Sequence, residues 1–400
     1  MHSGFRPSRR LSRLLLVLAS VPLLGVAACS QADYPQSAIH PLGEFARLTD
    51  HLFRTTVEWS ALVFVLVEGA LLYAMFRFRG RPNDAEPPQI HGNTTVEILW
   101  TVIPALILAT IAVPTVQAIF TTNATPGKGA LTVEVVGHQW WWEFRYPEYH
   151  ITTANELHVP LNRTVSLRMG SGDVVHSFWI PQFAGKRDVF PNRETRLWFI
   201  AEQAGEYPGQ CAEFCGIEHA RMAYRVVASP PAEFEKWIAH METLKQQPAP
   251  APAPAAAPAD SATRTTSAGA TAAQLASAHG SAAGSGAAGP GVAAAGAAQD
   301  SSAAQGDPLV AQGQKLFLQK GCVGCHSLVA VNAPKGLIGP NLANVGARSW
   351  IGAGTLQNTD ENLARWIMNP QAIKPGVLMP ILGIKPDEAK ALVAFLRTHR

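Results

Sequence analysis

Twelve consecutive residues that contain two cysteines, a histidine and a methionine constrain this chain more than any other part of its sequence. The run reads Cys211-Ala-Glu213-Phe-Cys215-Gly-Ile-Glu-His219-Ala-Arg-Met222. Soft sulfur donors combined with a nitrogen donor favour copper over magnesium, calcium or manganese. A blue-copper centre needs only one cysteine, whereas this spacing suits a pair of copper ions that share both sulfurs. The alternative, a disulfide between the two cysteines, makes no demand on the other positions.

The spacing Cys-x-Glu-x-Cys-x3-His-x2-Met resembles the CuA centre of the cytochrome oxidase subunit II family. The resemblance implies a first histidine from an earlier loop, which is His176 in the string Asp173-Val-Val-His176. It also implies that Glu213 contributes its backbone carbonyl, and that its carboxylate bridges toward a magnesium site shared with subunit I. The implied ligands of the dinuclear copper A centre are His176, Cys211, Glu213, Cys215, His219 and Met222.

The N-terminal part of the chain has the pattern of an exported membrane protein. Residues 1–28 predict a signal peptide, because four arginines precede an apolar run that is too short to span a membrane. The string Val26-Ala-Ala-Cys29 resembles a bacterial lipobox, which makes Cys29 a predicted lipidation site; ordinary cleavage nearby is the alternative. Residues 29–127 then predict a transmembrane hairpin with spans at about 57–78 and 96–120.

Basic residues fix the predicted orientation of this hairpin. Arg77, Arg79 and Arg81 crowd the loop between the spans, so this loop is expected in the cytoplasm and both outer ends on the periplasmic side of a bacterial inner membrane. Glu68 lies mid-span and should face another helix, but no role follows for it. Glu97 matches the family glutamate at the mouth of a proton path into subunit I; a carboxylate favoured by the helix dipole is the alternative.

Residues 128–245 contain short β-rich runs separated by Gly, Pro and Asn, and they predict an all-β barrel. The predicted strands are 131–136, 156–159, 164–169, 174–180, 196–200 and 223–227, followed by a closing helix over 234–244. With the copper ligands on two loops, this module resembles a cupredoxin. In the string Gly137-His138-Gln139-Trp140, the resemblance implies that Trp140 is an exposed tryptophan at which electrons enter; a packing residue is the alternative.

Residues 246–305 have no aromatic side chain and few charges, which predicts a disordered linker. The following residues, 306–400, contain Cys322-Val-Gly-Cys325-His326, the attachment signature of c-type haem. Both cysteines would bond the porphyrin and His326 would bind the iron. A thioredoxin-like pair is the alternative, but the trailing histidine and the lack of a βαβ pattern argue against it.

Three residues compete for the second axial position of the haem iron. Met368 falls in a helical run, where methionine is more often core filler, and His399 lies near the C-terminus. Met379 lies between Pro375 and Pro380 in a string that looks like the methionine loop of cytochromes c. Met379 is therefore the predicted ligand, in an all-α cytochrome c domain.

The two soluble modules differ in charge. Residues 306–400 carry ten Lys or Arg against five Asp or Glu, a balance of +5, whereas residues 128–229 carry ten against eleven, a balance of −1. Opposite signs would steer a tethered haem module toward the copper module, and this steering should weaken as salt rises. Transient docking is the resulting expectation.

Together, these segments predict a multidomain protein similar to subunit II of a caa(3)-type oxidase. The resemblance implies electron flow from a soluble cytochrome c or an upstream respiratory complex to haem c, then through Trp140 to copper. Implied partners are subunit I, with haem a, haem a3 and CuB, and subunit III, in the membrane and without nucleic acid. Oxygen reduction and proton pumping would take place in subunit I.

Other functions account for less of the sequence. A nitrous oxide reductase would need a large propeller domain, a quinol oxidase subunit lacks the copper ligands, and an electron-shuttling lipoprotein needs no hairpin. The electron-accepting subunit of a CuA-containing nitric oxide reductase remains the closest alternative.

Overall fold

The computed structural model describes residues 36–80, 89, 92–245, 307–330 and 338–400. The predicted signal peptide, Cys29 and the predicted linker over 246–305 lie outside the described residues.

Two long apolar helices form the predicted hairpin. Helix α1 spans Glu44–Arg77 and helix α2 spans Thr94–Asn123, and they contain 18-residue segments with mean hydropathies of 1.9 and 2.2, respectively. Both are long enough to cross a membrane. Helix α1 begins 13 residues before the predicted span of 57–78 and ends one residue short of it, and α2 extends beyond both ends of the predicted span of 96–120. The extra turns of α1 pack on the next domain, where Phe45 is buried and Arg47 forms an ion pair with Glu202. This contact joins the hairpin directly to the β domain.

The β domain is a sandwich of two five-stranded sheets, in the orders β3-β2-β1-β5-β8 and β4-β10-β9-β6-β7. Its strands are β1 (Leu131–His138), β2 (Trp141–Tyr146), β3 (Ile151–Ala154), β4 (Glu156–Pro160), β5 (Thr164–Ser171), β6 (His176–Trp179), β7 (Arg187–Val189), β8 (Thr195–Ile200), β9 (Gly205–Cys211) and β10 (Ala223–Ser229). Helix α3 (Pro231–Lys245) closes the domain. The cupredoxin-like β fold predicted from the sequence is confirmed.

Alternating side chains of the strands fill the space between the sheets. Every second residue of β1 is buried, as expected for a strand with one face on the core. An aromatic group lies at the centre, where Trp142 and Phe144 both make edge contacts with Phe178 and Tyr224. Such pairs add to the stabilisation from burial alone. This core lies directly beneath the strand ends that carry His176 and Cys211.

Four strands were missed by the sequence pattern, namely β2, β3, β7 and β9. Strand β9 contains Gly205, Pro208 and Gly209, residues that usually interrupt strands. Pairing with β10 on one side and β6 on the other holds it in place. Strand β2 is buried on both faces at Trp141 and Trp142, so it lacks the alternation that identifies a half-buried strand.

The C-terminal domain is helical, as predicted. Its helices are α4 (Pro308–Gln319), α5 (Asp360–Met368), α6 (Pro370–Ile373) and α7 (Pro386–Arg397). Asp307 caps α4 by accepting a hydrogen bond from the Leu309 N–H at 2.8 Å. Helices α4 and α7 approach closely at Gly313, where any side chain would meet the Ala391 carbonyl. Two short antiparallel strands of two residues each, β11 (Trp350–Ile351) and β12 (Leu356–Gln357), form a small hairpin.

The close approach of β9 to Tyr224 generates a testable prediction. A Cβ atom at Gly209 would overlap the Tyr224 ring, which is fully buried, whereas a Cβ at Gly170 in β5 meets nothing within 4 Å. We expect Gly209→Ala to destabilise the β domain by about 1–3 kcal/mol, because overpacking must displace the ring or the backbone. Thermal unfolding of the purified full chain, followed by near-ultraviolet circular dichroism, measures this loss. Gly170→Ala is the matched control, and equal melting temperatures for both variants would contradict the packing.

Candidate metal and haem sites

Five side chains and one backbone carbonyl gather at one end of the β domain. Cys211 ends β9, Cys215 and His219 lie in the connection to β10, and His176 begins β6. Because β6 and β9 pair with Phe178 opposite Cys211, the register of the sheet brings the histidine loop to the cysteine loop. The donor atoms of His176, Cys211 and Cys215 all lie within 4.8 Å of one another.

The remaining donors surround the same sulfurs. Cys215 Sγ lies 3.6 Å from His219 Nδ1 and 3.7 Å from Met222 Sδ. The Glu213 carbonyl oxygen lies 3.2 Å from Cys211 Sγ. The six positions named from the sequence therefore converge on one locus. Two thiols, two imidazoles, a thioether and a carbonyl form a donor set suited to copper.

The two cysteines are not joined by a disulfide. Their sulfurs lie 3.7 Å apart and both thiols are free, whereas a disulfide bond is about 2.05 Å long. Cys211 and Cys215 are both buried. The disulfide alternative from the sequence is therefore excluded, and both sulfurs remain available to a metal.

Local interactions favour the charged form of Cys211 and orient His176. The hydrogen bond with Cys215 lowers the pKa of Cys211, toward the thiolate that binds metal. His176 Nδ1 faces Cys211 Sγ at 3.9 Å, while its Nε2 lies 2.8 Å from an Asp173 carboxylate oxygen. Burial acts to lower the pKa of His176, but the hydrogen bonds to Asp173 and Cys211 outweigh burial and raise it. A carboxylate on the distal nitrogen is the usual partner of a metal-binding histidine.

Trp140 touches the copper-ligand loop. Its indole Nε1–H donates a hydrogen bond to the Cys215 carbonyl at 3.0 Å, and Gln139 Nε2 donates to the same oxygen at 2.7 Å. Trp140 is buried, with 8% of its surface exposed. The resemblance to the oxidase family had instead implied an exposed tryptophan. Trp140 is covered because the C-terminal domain of the same chain lies against it.

A cavity in the C-terminal domain contains the haem-attachment signature. Cys322, Cys325, His326 and Met379 line it together. Trp140 and Trp141 of the β domain line the same cavity. The cavity walls are mainly apolar side chains, among them Phe317, Leu342, Ile351, Leu363, Ile367 and Leu392. Two free thiols, an imidazole and a thioether around an apolar cavity fit a covalently bound haem with histidine and methionine axial ligands.

The surroundings of His326 prepare it to bind iron. Its Nδ1 lies 2.8 Å from the Pro340 carbonyl oxygen. Because a carbonyl can only accept, Nδ1 carries the proton and Nε2 keeps its lone pair. Burial lowers the pKa of His326, which favours the neutral imidazole. This carbonyl contact fixes both the tautomer and the ring orientation.

The two competing residues for the second axial position lie away from the cavity lining. Met368 packs against the helical core, and the His399 ring contacts the Phe395 carbonyl at 3.2 Å. Met379 is the candidate that faces the cavity. Its backbone carbonyl accepts a hydrogen bond from Gln371 Nε2 at 3.0 Å, which anchors the loop.

Three glutamates from the sequence analysis take different positions. Glu97 lies in the first turn of α2, at the end nearest the short connection between the membrane helices. The Glu213 side chain is exposed at the copper-ligand loop. Glu68 lies within α1, and its role is not defined by any described contact. The proton-path role of Glu97 and the magnesium role of Glu213 stay predictions.

Sequence reasoning missed three residues of the site. Asp173 orients His176, Trp141 lines the haem cavity, and Lys374 reaches from the C-terminal domain to the β domain. The spacing of Asp173 three residues before His176 could have suggested an orienting carboxylate. The positions of Trp141 and Lys374 depend on contacts between domains, which no local pattern reveals.

The packing around His326 generates a prediction with a matched control in the same segment. A Cβ at Gly339 would lie 2.5 Å from His326 Cε1, whereas a Cβ at Gly324, between the two cysteines, meets nothing within 4 Å. We expect Gly339→Ala to displace the imidazole and weaken its iron bond, and Gly324→Ala to leave it intact. Optical spectra of the reduced and oxidised holoprotein, with a haem content assay, report the axial ligation. Identical spectra for the two variants would contradict the proximal role of His326.

Matches to known families extend over most of the chain. Residues 34–118 match the transmembrane domain of cytochrome c oxidase subunit II, and residues 150–229 match its periplasmic domain. Residues 310–400 match the cytochrome c family.

Two relatives are similar to this chain over nearly its whole length. Cytochrome c oxidase subunit 2 of Alkalihalophilus pseudofirmus is 30% identical over 90% of this chain and 90% of its own length. The protein of the same name from Bacillus subtilis is 31% identical over 96% of this chain and 97% of its own length. Quinol oxidase subunit 2 of Bacillus subtilis is 34% identical, but over only 56% of this chain and 71% of its own length. The chain therefore belongs to the cytochrome c oxidase subunit 2 family, as a membrane subunit that also carries a C-terminal cytochrome c domain.

Proposed function

We propose that this chain is the electron-accepting subunit of a caa(3)-type oxidase. It accepts electrons at a covalently bound haem c and passes them to a dinuclear copper A centre and on to subunit I, where oxygen is reduced to water with proton pumping. One observation carries this proposal. Trp140 lines the haem cavity and also donates a hydrogen bond to the backbone of Cys215, so a single side chain touches both sites.

Family membership supplies the setting for this proposal. The chain is part of a haem-copper oxidase, with subunit I as its partner in the membrane and the copper and haem domains outside the membrane. The long apolar faces of α1 and α2 are exposed in the chain by itself. Such faces are suited to packing against a partner within the membrane.

In the proposal, each part of the chain has a defined task. Cys211, Cys215, His176, His219, Met222 and the Glu213 carbonyl would hold the copper ions. His326 and Met379 would bind the haem iron, and Cys322 and Cys325 would hold the porphyrin. Methionine ligation raises the haem potential. Trp140 would lie on the electron path between the two sites.

The wider assembly follows from the same proposal. A soluble cytochrome c or an upstream respiratory complex would reduce the haem, and subunit III would join subunit I. The exposed Glu213 carboxylate would reach a magnesium ion shared with subunit I, and Glu97 would lie at a proton path.

The terminal acceptor can be tested by purifying the complex from its native membrane in mild detergent and recording its spectrum. We expect bands of haem a together with haem c, and turnover with oxygen. Haem b in place of haem a, with turnover of nitric oxide, would assign the chain to a nitric oxide reductase instead.

The role of Trp140 leads to a kinetic prediction. Trp140→Phe removes the indole N–H that binds the Cys215 carbonyl and shrinks the aromatic contact between the sites. We expect electron transfer after photoreduction of the haem to slow by about tenfold or more, equivalent to ~1.4 kcal/mol in the barrier. Copper and haem contents should stay unchanged.

Trp198→Phe is the matched control, since Trp198 packs against Phe45 beside the membrane hairpin. It should transfer electrons at the wild-type rate. If Trp140→Phe behaves like this control, electrons reach the copper site by another route.

A further inference from the structure

The C-terminal domain lies against the β domain over a continuous polar contact. The Ala223 N–H donates to the Ala353 carbonyl at 3.0 Å, and the Ser349 N–H donates to Glu156 Oε1 at 2.8 Å. Trp141 Nε1 donates to the Ile338 carbonyl at 3.3 Å. Backbone and side-chain donors of each domain therefore meet acceptors of the other, and such matching favours one orientation of the two domains.

Lys374 is the most deeply buried cation in this contact among the described residues. Its side chain is 1% exposed, and its Nζ donates to the Trp140 carbonyl at 2.9 Å and to the Arg221 carbonyl at 2.8 Å. In the opposite direction, Arg221 Nη1 of the β domain donates a hydrogen bond to the Ile373 carbonyl of the C-terminal domain at 3.2 Å. One side chain of the C-terminal domain thus binds two separate loops of the β domain.

The two loops that Lys374 binds both adjoin the proposed electron path. Trp140 binds the Cys215 carbonyl, and Arg221 immediately precedes Met222. Lys374 lies on the loop that leads to Met379, the proposed axial ligand. The lysine therefore links the loop that leads to Met379 to the Trp140 loop and to the loop of Cys211–Met222 by direct hydrogen bonds.

Buried charges of opposite sign face each other across the contact. Lys374 of the C-terminal domain interacts with Glu218, which is 4% exposed on the β domain. Arg348 of the C-terminal domain interacts with Glu156, and both are buried. Arg348 also donates to the Asn344 side chain at 2.8 Å. Among the described residues neither pair forms a hydrogen bond or a direct ion pair, but opposite charges that are removed from water attract each other more strongly than exposed ones.

We propose that Lys374 is a positioning residue that holds the cytochrome c domain on the copper domain in one fixed orientation, with the haem cavity against Trp140. This inference rests on the proposed electron path. It differs from the transient, salt-sensitive docking expected from net charge alone. Electron transfer would then take place within a standing assembly and would need no diffusional search.

The test compares Lys374→Met with Lys390→Met in the purified oxidase complex. Both variants lose one positive charge from the same domain, but Lys390 is exposed on α7. Methionine keeps most of the length of the unbranched lysine side chain and removes its charge and its hydrogen-bond donors. Unchanged haem spectra and copper content show that both sites remain folded.

Amide hydrogen exchange measures the contact itself, without turnover. The Ala223 and Ser349 amides, which donate across the contact, should exchange at least about tenfold faster in Lys374→Met. Amides inside the sheets, such as those of β1, should keep wild-type exchange in both variants. Lys390→Met should leave the contact protected. Equal protection of Ala223 and Ser349 in the two variants would overturn the role of Lys374.

Flash photoreduction of the haem then measures transfer to copper in the same samples. In the wild type, the rate should be indifferent to ionic strength and to solvent viscosity. In Lys374→Met it should fall by about tenfold or more and become sensitive to viscosity. A wild-type rate that falls with viscosity or salt would restore transient docking and overturn the fixed contact. If the wild type bound no haem or no copper, the proposed function would fail, whereas the exchange result would still decide the contact.

Discussion

The backbone carbonyl of Cys215 is the point on which the two sites depend. It accepts hydrogen bonds from Trp140 and Gln139, so the loop between β1 and β2 is bonded to the loop that carries Cys215. The Trp140 carbonyl in turn accepts from Lys374 of the cytochrome c domain. Hydrogen bonds therefore connect the loop of Cys215, through Trp140, to the loop that contains Lys374 and Met379. The relative position of the two sites follows from these few contacts.

The β sandwich keeps this arrangement rigid. His176 starts β6 and Cys211 ends β9, and the pairing of these strands fixes the distance between their donor atoms. The Trp142 ring packs edge-on against the His176 ring, with centroids 5.8 Å apart, and forms the floor of the site. Donors held by strands and supported from below need little rearrangement when they bind a metal.

Much of this organisation could be predicted because its signals are local. The metal-binding run, the haem-attachment signature and the apolar spans are contiguous in the sequence, so the domain types, the converging donors and Met379 on the cavity wall could be foreseen. Strand β9 could not be predicted, because Pro208 and Gly209 are not typical of strands. It forms because it pairs with β10 and β6. Lys374 and Trp140 are 234 positions apart. Their contact exists only once two domains meet, and for the same reason the sequence did not reveal that Trp140 is covered.

The proposed electron path requires that Cys211 and Cys215 together hold two copper ions beside the cavity lined by His326 and Met379. Electron paramagnetic resonance of the oxidised holoprotein, combined with copper quantification per chain, tests this most directly. We expect a mixed-valence signal in which one unpaired electron is shared by two copper nuclei. A signal confined to a single nucleus, from one copper ion bound at this site, would contradict it.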